Sequence, residues 1–296
     1  MSGVKNPSIR VVHPSSPDVR SFFNQRKKEL TKIGLNFLWL EPSHLDWHYH
    51  KEAVHWRLEE FLGALFDPEV EYIWAARGGY GATDLLSELP WRDLKETQRK
   101  WIVGFSDISA LQSAFYTKLS WPAIHAPMPA TVYWSSRQTK DQEALLSFFA
   151  KKNWQGNLVL EPLRQEEIKC QGELFGGCLS VLASLVGSPY LPKSFCGKIL
   201  FIEDIGETPG QILRYWNQMS YAKMFDGVSG IILGSFAGLH KDVKKNLLEE
   251  MARRVSAPVW HTDQIGHTAP NWPLVIGSQA TVTENMLSWK YKKEMR

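Results

Sequence analysis

No run of apolar side chains in these 296 residues approaches the roughly 18 that a membrane-spanning helix requires. The opening MSGVKNPSIRVVHPSS also lacks the apolar core, about 7–15 residues long, of a secretory signal, so a cytoplasmic protein is expected. Cysteine is scarce. Cys170, Cys178 and Cys196 are odd in number and form no CxxC pair, which excludes a disulfide framework and a zinc ribbon. Neither sign of charge dominates: 34 Lys and Arg stand against 31 Asp and Glu, a net +3, without the basic footprint of a nucleic-acid binder. The closing SWKYKKEMR is basic, as solvated termini often are. GxGxxG, GxxxxGK[ST] and HExxH are all missing, so the dinucleotide fingerprint, the phosphate loop and the helical zinc-protease site have no sequence support. There is no internal repeat and no low-complexity tract.

What is present is ordinary globular material, 44% hydrophobic and 22% charged, in a length that suits one large domain or two. The first half alternates strand and helix signals. IRVVH (9–13) reads as a strand, SFFNQRKKELTKIG (21–34) as an amphipathic helix stopped by Gly34, and LNFLWL (35–40) as a strand. AVHWRLEEFLGALF (53–66) follows with helical periodicity. EYIWAA (71–76) stops at RGGYG before a helix from about Ala82, and WIVGF precedes another helix. That alternation predicts a parallel sheet covered on both faces, with functional residues in the loops beyond the carboxyl ends of its strands. After WPAIHAPMPA the pattern weakens, and the charged SSRQTKDQ and LRQEEIKCQG frame an expected crossover. From about Gly172 come a glycine-rich run read as leading into a helix, the strand KILFIED, a helix around GQILRYWNQMSYA, the strand VSGIILGSF, and short strand-like pieces to the end.

Four segments could carry chemistry. In WIVGFSDISAL (101–111) Ser106 stands where a strand gives way to a helix. It is either a helix cap or the exposed hydroxyl of a nucleophile elbow. The glycines of ARGGYGATDLL (75–85) suit a plain turn, a weak phosphate cradle, or an oxyanion hole in which backbone N–H groups approach a reacting carbonyl. FIEDIGE (201–207) ends a strand with three carboxylates that form either an acidic helix-capping loop or the partner of a histidine. DQIGHTAPNWPLVIGS (263–278) supplies such a histidine, His267, on a glycine-flanked loop. Ser106, a carboxylate near 203 and His267 thus run in the order nucleophile, acid, base. HLDWHYHKEAVHW, with His44, His48, His50 and His55, looks like a metal cluster, but it reads as loop and lacks fixed ligand spacing, so no metal is expected.

Taken jointly, HPSS, RGGYGATDLL, GFSDISAL, HAPM, GELFGGCLSVLASLVGSPYLP, LFIEDIGETPGQILRYW, GIILGSFAG and IGHTAPNWPLVIGS resemble the murein LD-carboxypeptidase family of serine peptidases, which includes the microcin-immunity peptidases. The blocks keep the family's order from about residue 9 to residue 280. The resemblance implies an α/β molecule with a flavodoxin-like parallel sheet in an N-terminal nucleophile domain, residues 1–135. A crossover (136–171) and a smaller β-rich C-terminal domain (172–296) carrying acid and base would follow. It implies Ser106 as nucleophile, Glu203 (not Asp204 or Glu207) as acid and His267 as base. Asp107 and Gly79 would supply oxyanion N–H groups, and Arg77 and Tyr80 would contact substrate. Arg77 reads equally well as a salt-bridge brace for the glycine loop.

The implied reaction releases terminal D-alanine from a murein tetrapeptide through an acyl-enzyme, with no cofactor, no nucleic-acid or membrane partner, and a homodimer as assembly. Two alternatives stand beside it: a self-immunity peptidase cleaving an aminoacyl-nucleotide antibiotic, and a nonenzymatic nucleotide-binding module built on RGGYG. The chain departs from the family at Cys178, where GGN is usual, and at GSP (187–189), where GTP is usual.

Overall fold

The computed structural model describes residues 8–16, 20–34, 36–41, 50–134, 139–150, 153–164 and 169–292. Short apolar runs form the first strands: β1 (Ser8–Val12), β2 (Phe37–Trp39), β3 (Val70–Ala75), β4 (Trp101–Gly104) and β5 (Ala123–His125). Between them lie α1 (Arg20–Lys32), α2 (Lys51–Phe66), two single-turn helices α3 (Ala82–Leu85) and α4 (Trp91–Leu94), and, beyond a 3-10 turn at Ser106–Ile108, α5 (Ser109–Leu119). β4 and β5 are buried along their whole length, as strands covered by helices on both faces must be.

These five strands pair in parallel in the order β2-β1-β3-β4-β5. That is the flavodoxin-like order, in which a crevice opens beyond the strands' carboxyl ends where the winding reverses, between β1 and β3. The loop after β1 carries HPSS, the loop after β3 carries RGGYG, and Ser106 follows β4 next door.

The remaining chain supplies α6 (Lys140–Ala150), β6 (Asn153–Val159), β7 (Glu161–Pro162), β8 (Cys170–Cys178), α7 (Leu179–Ser184) and β9 (Lys198–Ile205). Then come α8 (Pro209–Tyr221), β10 (Gly230–Ala237), α9 (Lys241–Arg253), β11 (Val259–His261), β12 (Leu274–Ile276), β13 (Gln279–Thr283) and β14 (Met286–Lys292). α8 opens with a reciprocal cap between Thr208 and Gln211 and a proline in its first turn. The second sheet has the order β6-β14-β13-β8-β9-β10-β11-β7. Its centre, β8 to β11, is parallel, and both flanks are antiparallel. β12 leaves this half of the chain and pairs antiparallel with β5, closing the edge of the first sheet. Among the described residues no helix is long and apolar enough to cross a membrane.

Two expectations are corrected. Residues 139–162 hold a helix and two strands where a crossover was expected. The glycine-rich run from Gly172 leads into helix α7 as expected, and is itself strand β8. α9 fills a stretch read as strand-like, burying Leu247, Leu248, Met251 and Ala252 as one stripe in an otherwise charged segment.

Gly176 explains why a strand tolerates so much glycine: a Cβ there would stand 1.9 Å from the backbone oxygen of Phe201 on β9. That neighbour cannot turn away without breaking the β8–β9 ladder. Gly176→Ala should therefore cost about 2–4 kcal/mol in denaturant unfolding. Gly210→Ala, whose Cβ would meet nothing within 4 Å, should stay within about 1 kcal/mol of the parent. Equal stabilities would contradict this packing account.

Candidate active site

β4 ends at Gly104, Phe105 remains extended, and Ser106 then takes φ +63°, a left-handed conformation that a residue with a side chain adopts only under constraint. Its hydroxyl caps no helix. The 3-10 turn has no side-chain cap bond, and α5 begins after Ile108. The strand-to-helix turn instead points Oγ at His267, 3.0 Å from Nε2. Of the two readings of WIVGFSDISAL, the geometry is that of the elbow.

His267 is buried, and its Nδ1 lies 2.6 Å from Oε2 of Glu203, which is wholly inaccessible. The same oxygen accepts the His267 backbone N–H at 3.3 Å. Glu203 reaches this place from the end of β9, in register with Cys178 of β8. Gly266 makes the approach feasible. It has φ +99°, and a Cβ would fall 2.3 Å from Oε2. The rings of Phe105 and Tyr133 flank the imidazole at centroid distances of 4.8 and 6.0 Å.

Burial works against the charged form of each group, and mutual attraction overrides it. Burial alone would raise the Glu203 carboxyl, yet the charge and hydrogen bond of His267 hold it below the usual carboxylate range. Burial alone would lower His267, yet the charge and hydrogen bond of Glu203 lift it above the ordinary imidazole value. His125 is also fully buried nearby, and desolvation pushes it down to about 4, so it stays neutral.

Asp204 follows Glu203 in a strand whose side chains alternate in direction, and it has other partners. It accepts the Ser180 N–H at 2.8 Å and its own neighbour Ile205 N–H at 2.8 Å, and the Cys178 thiol donates to it at 3.4 Å. Burial and the Glu203 charge push its carboxyl up to about 6. Glu207 lies past β9, in the loop before α8. Cys178, the departure from GGN, is buried, with its backbone N–H on Ser109 Oγ at 3.0 Å. Burial, Asp204 and Glu203 all raise its thiol.

The glycine loop lies against the elbow. A Cβ on Gly78 would stand 2.9 Å from that of Ser106 and 3.4 Å from the Asp107 nitrogen, whereas one on Gly79 would strike the hydroxyl of Ser16. Gly78 is thus the residue facing Ser106, and Gly79 turns toward Ser16. The Asp107 carboxylate is buried and ties the loops together, accepting Ser15 Oγ at 2.5 Å and the Ala82 N–H at 2.9 Å. Burial raises its pKa against those two bonds.

Tyr80 stands at the rim, its N–H on Ser16 Oγ at 3.2 Å and its hydroxyl on Asp84 at 2.9 Å. Arg57 of α2 braces the loop. Arg57 is buried, pairs with Asp84 at 3.2 Å and reaches the carbonyls of Ser15 and Tyr80. Arg77 is half-buried at the start of the loop. The sequence reading missed Arg57, Ser15 and Ser16. HPSS drew notice only as part of a pattern, and a lone helical arginine carries no local signal.

His44 and His48 lie outside the described residues. His50 and His55 are exposed and pair with Glu52 at 2.5 Å and Glu59 at 3.2 Å. Among the described residues no group of three or more His, Cys, Asp and Glu side chains is arranged to hold a metal ion.

Comparison with known proteins adds independent findings. Residues 9–126 match the model of the LD-carboxypeptidase N-terminal domain, and residues 171–282 match that of the LD-carboxypeptidase C-terminal domain. A Streptomyces coelicolor relative is 32% identical over 216 residues, 71% of this chain and 68% of its own length. The murein tetrapeptide carboxypeptidase of Pseudomonas aeruginosa is 29% identical over 293 residues, 95% of this chain and 94% of its own. In fold the chain is similar to the solved microcin C7 self-immunity protein MccF in complex with aspartyl sulfamoyl adenosine. The TM-score is 0.83 at 21% identity, over 98% of this chain and 97% of the other. These findings favour an enzyme over the nonenzymatic nucleotide-binding module.

The electrostatics of the pair can be read directly. In the free protein, the His267 ring should titrate by NMR with a midpoint above the ordinary value of about 6.5. In Glu203→Gln, with the counter-charge gone and burial unopposed, the midpoint should fall below that value. An unmoved midpoint would mean that the carboxylate does not govern the imidazole.

Proposed function

We propose that this chain, which belongs to the LD-carboxypeptidase family and is a serine carboxypeptidase, releases the terminal D-alanine of murein tetrapeptides with Ser106, His267 and Glu203 as its triad. The observation that carries the assignment of roles is the continuous line Ser106 Oγ–His267–Glu203, at 3.0 and 2.6 Å, at a serine held in a left-handed turn. The full-length relation to a murein tetrapeptide carboxypeptidase supports the substrate.

In this reading Glu203 takes the Nδ1 proton of His267 as a hydrogen bond and leaves Nε2 to accept the Ser106 proton. The freed oxygen attacks the carbonyl that precedes the terminal residue. The backbone N–H groups of Asp107 and Gly79 are assigned to the developing oxyanion, a contribution of about 3–4 kcal/mol per donor in comparable sites. His267 then passes its proton to the leaving D-amino acid, and water enters by the same route to release the acyl group. Arg77, at the mouth of the glycine loop, is assigned to the free carboxylate that a carboxypeptidase must recognise. Tyr80, 46% exposed, walls the cleft beside it.

The likeness to MccF keeps an aminoacyl-nucleotide in view as the competing substrate, and one experiment separates the two. Purified protein is incubated with a murein tetrapeptide and, in parallel, with an aminoacyl sulfamoyl adenosine, and the released amino acids are measured. Free D-alanine from the first and little release from the second are expected. The reverse pattern would overturn the substrate assignment. Ser106→Ala should retain its melting behaviour and lose at least about a thousandfold in kcat, and Glu203→Gln should fall severely. Glu207→Gln, farther along the loop, should change turnover only a few fold. Normal turnover in a folded Ser106→Ala protein would end the triad assignment.

A further inference from the structure

Far from Ser106, the antiparallel flank of the second sheet carries an ordered polar surface that the peptidase chemistry does not use. Two ladders of side chains cross it. The pairings Gln155↔Lys290, Lys290↔Gln279, Gln279↔Glu173 and Glu173↔Lys198 make one row over five adjacent strands. Asn157↔Ser288, Ser288↔Thr281 and Thr281↔Gln171 make a second over four. Neighbours within a row are roughly 5 Å apart and the rows roughly 7 Å, since paired residues share a face and every second residue returns to it. The opposite face carries Leu287, Trp289 and Ala280, all buried in the core.

A polar outer face is what any one-sided sheet presents to water. Two features go beyond that. Four of the nine side chains are carboxamides, in strands where asparagine is normally depleted, and each offers a donor and an acceptor. The face also floors an open depression of about 980 Å³, which shares Glu173, Gln279 and Lys290 with a second of about 1030 Å³ at the foot of α5.

The second cavity adds charge and aromatic surface. Arg99, Lys198 and Lys290 line it with one carboxylate, Glu173, which Lys198 already holds at 2.6 Å. Among the described residues neither Arg99 nor Lys290 pairs with a carboxylate, so two cations lack a counter-charge. Tyr116 and Tyr291 form part of the wall, and Arg99 donates to the Tyr291 hydroxyl at 3.3 Å. The 11 residues of α5 span roughly 16 Å between Ser106 and this cleft, and the cleft opens at the amino ends of the first sheet's strands. A ligand here cannot be the acyl group on Ser106.

We propose that this double cleft is a second binding site, for an acidic saccharide of about two rings. The carboxamide and hydroxyl ladders fit ring hydroxyls, which donate and accept at once. Arg99 and Lys290 hold the saccharide's carboxylate. This site is independent of the substrate assigned above.

The test uses the full chain and three probes: cellobiouronate, cellobiose (the same frame with no carboxylate) and acetate (the charge alone). Binding is followed by NMR on the side-chain amide signals of Gln155, Asn157, Gln171 and Gln279. Cellobiouronate should shift these signals and bind at least about tenfold more tightly than cellobiose, with added salt weakening it. Arg99→Gln with Lys290→Gln should bring it down to the level of cellobiose while leaving peptide turnover unchanged. Lys290→Gln alone, at an exposed side chain, should give part of that loss. Equal binding of the two sugars, displacement by equimolar acetate, or no shift up to roughly 10 mM ligand would overturn the proposal.

Discussion

The contact between the Glu203 carboxylate and the His267 imidazole sets the terms for the rest of the molecule. A carboxylate with no access to water is very costly unless it is paired and hydrogen-bonded. Here one oxygen meets both the ring and the backbone N–H of His267, so the group that must be neutralised is also the one that must be oriented. The demand passes outward along the chain. Residue 266 has to be glycine, because a Cβ would occupy the carboxylate's place. The loop is then fastened by Asn271, whose side-chain oxygen takes the Gly266 N–H at 2.8 Å and whose own N–H goes to Asp141 of α6 at 2.9 Å. β12 follows at once and joins the edge of the first sheet, which brings the histidine loop to the sheet that bears Ser106.

In the proposed triad the two sheets divide the work, and neither holds all of its members. The first contributes the strained serine and the glycine loop, and the second contributes the carboxylate at the end of β9. Their alignment depends on contacts around α5. The Cys178 N–H at the end of β8 bonds to Ser109 Oγ in the helix's first turn, and the Ser113 hydroxyl bonds to the Tyr190 carbonyl. A small slip at this junction would lengthen the Ser106–His267 contact without unfolding either sheet. The left-handed turn at Ser106 is likewise kept by its surroundings, since Asp107 is anchored from two loops.

Much of this was legible in the residues alone, because the relevant signals are local. Alternating strands and helices predict the parallel sheet, and the β4–α5 junction marks Ser106. The strand KILFIED locates the carboxylates, while the choice of Glu203 over its neighbours came from the family resemblance. What escaped reading depends on distance in space. Arg57 braces a loop through a contact 23 residues away, and nothing in VHWRLEE announces it. Ser15 acquires its partner Asp107 only when β1 and β4 are brought together around β3. Glycine-rich GELFGGC looks unlike a strand until the close approach of Phe201 accounts for it, and the buried stripe of α9 is narrow among lysines and glutamates.

The central claim is that the Ser106 hydroxyl, relayed through His267, forms a covalent acyl intermediate. Its most direct test is mass spectrometry of the protein quenched in acid during turnover of a slowly hydrolysed peptide ester. The account predicts an acyl adduct on the proteolytic fragment containing Ser106, present in the parent and absent from His267→Ala. An adduct on another residue, or full turnover with no adduct under conditions where deacylation is slow, would contradict it.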